Sequence, residues 1–166
     1  MSTRSRVVAR LEVTSPAFRQ NEPIPQEHAA DGQNISPPLE WNGTPPGTVE
    51  HVVIVDDPLA RPRPWANWVL YGIPAAVTSL EAGMPAGHRN LAAVRGARQG
   101  VNGWVELGWA GPSPPRGAGP RSYHFKVYAL SKQVEFMAGG TREELEGAIA
   151  RHVIGKGELI GTYERK

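Results

Sequence analysis

Two adjacent carboxylates, Asp56 and Asp57, close the segment HVVIVDD (51–57), and paired acids are the residues that acid–base chemistry uses. Neighbours on a strand point to opposite faces, so only one of the two can enter a given hollow. Asp57 precedes Pro58, where a strand gives way to a loop, and loops at strand ends are where sites are assembled. Taken alone, Asp57 reads better as the cap of the turn that follows. The five histidines, His28, His51, His88, His124 and His152, show no ligand spacing, so no metal is expected. The absence of cysteine excludes a disulfide framework, a thiolate zinc site and a cysteine nucleophile. There is no G-x-S-x-G elbow, and Ser113 lies in GPSPP, which cannot place a helix N-terminus beneath it. Gly117-Ala118-Gly119 lacks the third glycine of a dinucleotide fingerprint and opens no helix. No cofactor is expected.

The elements that must position Asp57 are strands. Gly and Pro, 19 and 16 residues, punctuate the chain every few positions, which favours short strands joined by structured loops. Val7, Ala9, Leu11 and Val13 alternate with Arg6, Arg10 and Glu12, predicting a half-buried first strand. The continuous apolar run 51–57 predicts a central strand buried on both faces. Segments 68–73 and 123–130 read the same way, and 159–163 reads as a short final strand. One helix is predicted, with Thr141 and Glu144 as a capping box, Leu145, Ile149 and Val153 on one stripe, and Gly155 as C-cap. The long stretches Pro23–Gly47, Arg61–Trp65 and Gly83–Pro120 hold Trp41, Trp65, Trp104 and Trp109, an aromatic content that argues against disorder.

At 166 residues the chain suits one domain able to bury roughly 70% of its unfolded surface without a covalent staple. The formal charge of +2 arises from 18 basic and 16 acidic residues with no long run of one sign, a weak basis for nucleic-acid binding, and none is expected. The segment MSTRSRVVARLEV lacks the apolar core of a signal peptide, and no stretch reaches the ~18 apolar residues that span a bilayer. A soluble, cytoplasmic protein is the expectation.

DGQNISPPLEWNGTPPGT (31–48), IVDDPLA (54–60), WANWVLYGIP (65–74), GWAGPSPPRGAGPRSYHFKVYAL (108–130) and GELIGTYER (157–165) follow the order and spacing of a known family. The chain resembles the phosphatidylethanolamine-binding proteins, most closely their short bacterial and archaeal branch, often labelled Raf-kinase-inhibitor-like. The resemblance implies a mainly β fold: a large antiparallel sheet packed on a smaller one, with a peripheral helix near the C-terminus. It also implies a pocket for phosphate-like and carboxylate anions at the strand ends. By that resemblance the ligand-binding residues are Asp57, Ala60, Trp65, Asn67, Gly111, Pro114, Pro115, Arg121 and Tyr123. Leu59 replaces the second acid of the family's D-P-D-A, Asn67 replaces a pocket histidine, and Arg121-Ser122-Tyr123 replaces H-R-Y.

These replacements exchange a pocket that titrates near neutral pH for one of fixed charge. Arg121 stays protonated and can grip a carboxylate or phosphate through two hydrogen bonds; Asn67 can donate and accept. Arg121 can also pair with Asp57 and fill the hollow with an internal salt bridge. The leading expectation is therefore a binding protein for a small anionic or polar metabolite. An alternative is an acid/base isomerase or cyclase using Asp57 and Tyr123. Another is a regulatory domain with a vestigial pocket, docking a protein partner through the loop that carries Arg61, Arg63 and Trp65. The oligomeric state is left open, a homodimer among the options.

Overall fold

The structure, a computed structural model, describes residues 7–135 and 140–166. In chain order the strands are β1 (Ala9–Arg10), β2 (Glu12–Thr14), β3 (Leu39–Asn42), β4 (Glu50–Asp57), β5 (Trp65–Pro74), β6 (Ser79–Leu80), β7 (Arg98–Gln99), β8 (Arg121–Leu130) and β9 (Val153–Tyr163). The helix α1 (Arg142–Ile149) lies between β8 and β9. Six strands form one sheet in the order β1-β9-β8-β4-β5-β7, and β2-β3-β6 form a second. Neighbours are antiparallel except β1 and β9, which run parallel.

All eight residues of β4 are buried because the strand is flanked on both sides and covered on both faces. Its alternation divides two cores. Val53 and Val55 meet Trp41, Trp68 and Phe125 between the sheets, whereas Val52 and Ile54 meet Val69, Leu130, Leu145 and Ile149 beneath α1. Each such side chain contributes about 1.5–3 kcal/mol on leaving water. The predicted two-sheet, one-helix β architecture is the one observed.

Strands β5 and β8 begin at Trp65 and Arg121, earlier than the expected 68 and 123, and three further boundaries differ more from the sequence reading. The expected strand 7–13 divides at Leu11: Ala9 and Arg10 pair with β9, Glu12–Thr14 pair with β3, and Leu11 is buried where the chain changes sheets. Arg6 of that expected strand lies outside the described residues. The crossing is possible because Gly157 faces it; a Cβ there would lie 2.1 Å from the Leu11 carbonyl oxygen. The helix ends at Ile149, and Val153 and Gly155 belong to β9 instead of a helical stripe and cap. The final strand is accordingly 11 residues long, not the short one expected. Its N-terminal half reads poorly as a strand because the close approach of Leu11 demands glycine where an apolar residue would signal burial.

Candidate functional site

The C-terminal end of β4, the N-terminal end of β5 and the N-terminal end of β8 meet at one edge of the large sheet, with Asp57 opposite Trp65 and Asp56 opposite His124. The two acids diverge as strand geometry requires. Asp56, fully buried, turns toward α1, where Lys126 Nζ donates at 2.9 Å and Arg142 Nε at 2.6 Å to its Oδ2. Asp57 turns to the other face. Its Oδ2 accepts from Arg121 Nη2 at 2.7 Å, and its Oδ1 accepts from the Leu59 backbone N–H at 3.2 Å.

This ion pair joins residues 64 positions apart and sits in partial shelter: the Arg121 side chain is 27% exposed and that of Asp57 10%. The contact is end-on, one guanidinium nitrogen to one carboxylate oxygen, not the two-pronged fork that arginine can make. Tyr123, two residues along β8 on the same face, is buried beside the pair. Burial, followed by the Asp57 charge, pushes its phenol well above the ordinary value against the pull of Arg121. It is a neutral hydroxyl at any physiological pH.

Asn67 is fully buried at a register shift between β4 and β5, and it does not bond to Asp57 or Arg121. Its Nδ2 donates to the Ala110 carbonyl at 2.8 Å, its backbone carbonyl accepts from Ala110 N–H, and its Oδ1 has no hydrogen-bond partner among the described residues. Asn67 thereby pins the loop that carries Gly111 and Pro114, both buried, and Pro115, which is exposed. Ala60 closes the turn after β4, its N–H donating to the Asp57 carbonyl. Trp65 stands opposite Asp57 across β4 and β5, its ring 5.3 Å from that of Trp104.

Some positioning residues escaped the sequence reading. Asn34, in the left-handed region at φ 57°, accepts through Oδ1 from the Gly111 N–H at 2.7 Å. Asp31 accepts a short hydrogen bond from Tyr163, the cross-strand partner of Arg121. The DGQN run (31–34) carried the signal, since Asp and Asn in turns bond neighbouring backbone and tolerate positive φ. A cavity of about 550 Å³ touches Asp31, Pro120 and Tyr163 next to Arg121. A groove of about 840 Å³ lies elsewhere, between residues 10–20 and the β8–β9 surface. Neither reaches Asp57, Asn67 or Arg121 itself.

The family model described as phosphatidylethanolamine-binding protein matches residues 14–164. The UPF0098 protein PH1269 of Pyrococcus horikoshii is 41% identical over 156 residues, covering 94% of this chain and 77% of that protein. The UPF0098 protein of Methanothermobacter thermautotrophicus is 37% identical over 155 residues, covering 93% and 99%. Among solved structures, E. coli YbcL, described as a new member of the mammalian PEBP family, superposes with a TM-score of 0.87 at 32% identity, covering 94% of this chain and 99% of that one. The homologue CT736 of Chlamydia trachomatis gives a TM-score of 0.81 at 33% identity, covering 98% and 100%.

Proposed function

Given that the chain belongs to the phosphatidylethanolamine-binding protein family, we propose that it binds a small phosphate- or carboxylate-bearing molecule where Arg121 meets Asp57. The observation that carries this reading is the end-on ion pair. Arg121 holds Asp57 through one nitrogen at 2.7 Å and stays 27% exposed, so an incoming anion can reach its other donors and draw it from Asp57. The Tyr123 hydroxyl lies close by, and the cavity bordered by Pro120 and Tyr163 offers space beside it.

The pair also sets selectivity. Drawing Arg121 away leaves a carboxylate that is only 10% exposed without its counter-charge, and stranding a buried charge is costly. A zwitterion avoids that cost, since its ammonium can replace Arg121 on Asp57 while its phosphate takes the guanidinium. Calorimetric titration should therefore show phosphoethanolamine binding about tenfold more tightly than sulfate. Asp57 replaced by Asn should erase that preference, and Arg121→Gln should remove binding of both. Undiminished binding in Arg121→Gln contradicts the reading.

The direct bond itself favours a second reading, in which the pair stays closed and the pocket is vestigial. Absence of binding by the wild type and by Asp57→Asn alike would select it. The acid–base reading has less support, because both oxygens of Asp57 already accept hydrogen bonds from the protein.

A further inference from the structure

One residue on the far side of β9 from β8 has no partner for its backbone. Alternate residues from Lys156 to Thr162 turn their N–H and C=O groups to that side. The Lys156 carbonyl accepts from Leu11, and Ile160 accepts from Asn21 and donates to the Gln20 side chain. Thr162 accepts from Ile24 and donates to Glu22. Glu158 stands in the middle of this row, and neither its N–H nor its carbonyl is hydrogen-bonded among the described residues. The gap follows from the change of sheet at Leu11: Glu12–Thr14 leave to pair with β3, and the chain meets β9 again only at Gln20. A backbone donor and acceptor left open on a strand edge form a template for another chain.

The opening lies on the groove of about 840 Å³, whose lining includes Glu158 and its two chain neighbours. Arg10 and Lys156 line the same groove and are register partners across β1 and β9. Like charges placed side by side on a sheet repel, so this pair is unfavourable for the fold on its own. Arg19 lines the groove as a third exposed cation. None of the three has an ion pair or a side-chain hydrogen bond among the described residues. Of the other charged groups in the lining, Lys126 is held by Asp56 and the Glu158 carboxylate contacts His124, which leaves Glu12 as the open acid. The groove therefore presents more open positive charge than negative.

We propose that this groove takes the C-terminal end of a peptide chain, free carboxylate included. The Leu11 contact at Lys156 and the Asn21 contact at Ile160 flank the gap, about 13 Å apart at strand rise. A strand passing along the edge would run into one of them, whereas a chain end would not. The N–H of the terminal residue donates to the Glu158 carbonyl, and one carboxylate oxygen accepts from the Glu158 N–H. These are the two bonds that opposed residues of an antiparallel pair exchange. The second oxygen is left for the cations of Arg10, Arg19 and Lys156. An inorganic anion would use the N–H and the cations only; the open carbonyl calls for a ligand that also donates. The groove does not reach Asp57 or Arg121, and the proposal does not depend on what that pair binds.

Titration of the isotope-labelled full chain with acetyl-trialanine, up to about 10 mM and followed by amide NMR, tests it, because millimolar affinities are readable in that range. The Glu158 amide resonance should move saturably with the free acid. The same peptide carrying a C-terminal amide should bind about tenfold more weakly. Arg10→Gln/Lys156→Gln and Arg19→Gln should each lower the affinity about tenfold without changing the melting temperature. Glu158→Pro removes the donor on the side of the strand that faces no partner, and it should abolish binding in a chain that stays folded. A Glu158 resonance that does not move overturns the proposal, as do shifts confined to the surroundings of Arg121. Equal affinity for the free acid and the amide overturns it too, as does acetate moving the Glu158 amide at the same concentrations. Binding that the cation variants leave intact has the same consequence.

Discussion

At the scale of single residues, one adjacent pair shows how much strand geometry decides. Asp56 and Asp57 differ by one position and by one face of β4, and that alone gives one of them two cations and a fully buried place, the other a single exposed-edge arginine. The divergence was legible from alternation. The pairing of Asp57 with Arg121 was legible only as one of two outcomes, because sequence fixes neither the rotamer of a long side chain nor whether a ligand competes for it. Asn67 was read as an orienting group for ligand; the structure uses its Nδ2 on Ala110, a contact 43 residues away that no local pattern announces. Two predictions belong here. Arg121→Gln should destabilise the fold by about 1–2 kcal/mol, less than the loss of a fully buried pair, since the arginine is partly solvated. Sulfate binding should stay level between about pH 5.5 and 8, because Tyr123 is held neutral by burial and the site residues Asp57, Asn67 and Arg121 include no histidine.

Among the elements, α1 is short and depends on its cap. Thr141 Oγ1 accepts from the Glu144 N–H at 3.2 Å, and Leu145 and Ile149 carry the helix onto the outer core. An eight-residue helix is marginal by itself, so tertiary contacts must hold it. Arg142 adds the tie from Nε to Asp56. Thr141→Ala should lower stability by about 1 kcal/mol, read as a melting shift of roughly 2–4 °C. The capping box, Leu145 and Ile149 were readable from spacing. The end of the helix was not, because Val153 keeps the i+4 spacing yet pairs with Leu130 as the start of β9. In β9 the requirement for glycine opposite Leu11 masked the strand pattern, and in β1–β2 the change of sheet preserved an alternation that a single strand would also show.

Across the whole molecule, a β-rich domain with one late helix followed from apolar runs and glycine–proline punctuation, and the two-sheet arrangement from the family resemblance, whereas the layer contacts that bury polar groups followed from neither. His51 is one such group. It is wholly inaccessible, bonds Thr44 at 2.9 Å and lies edge-on to Trp41, and burial holds its pKa below the ordinary value. A histidine with a lowered folded pKa stays neutral in the fold while the unfolded chain takes up a proton. Its contribution is therefore complete above the unfolded value of about 6.5 and is lost as pH falls. Glu50, buried with its pKa raised by desolvation, acts with the opposite sign, favouring the fold in acid and losing that contribution as pH rises past 4.5. Denaturant unfolding from neutral to mildly acid pH should show a loss of stability in the wild type that is smaller in His51→Gln. Identical slopes in the two proteins would show that His51 does not carry the effect.

The account rests on an ion pair that opens for a ligand, and sulfate titration of Asp57→Asn tests this most directly. Removing the internal competitor frees Arg121, so the variant should bind sulfate about tenfold more tightly than the wild type. Equal or weaker binding in the variant would contradict the account, for then Asp57 does not compete with the anion for Arg121.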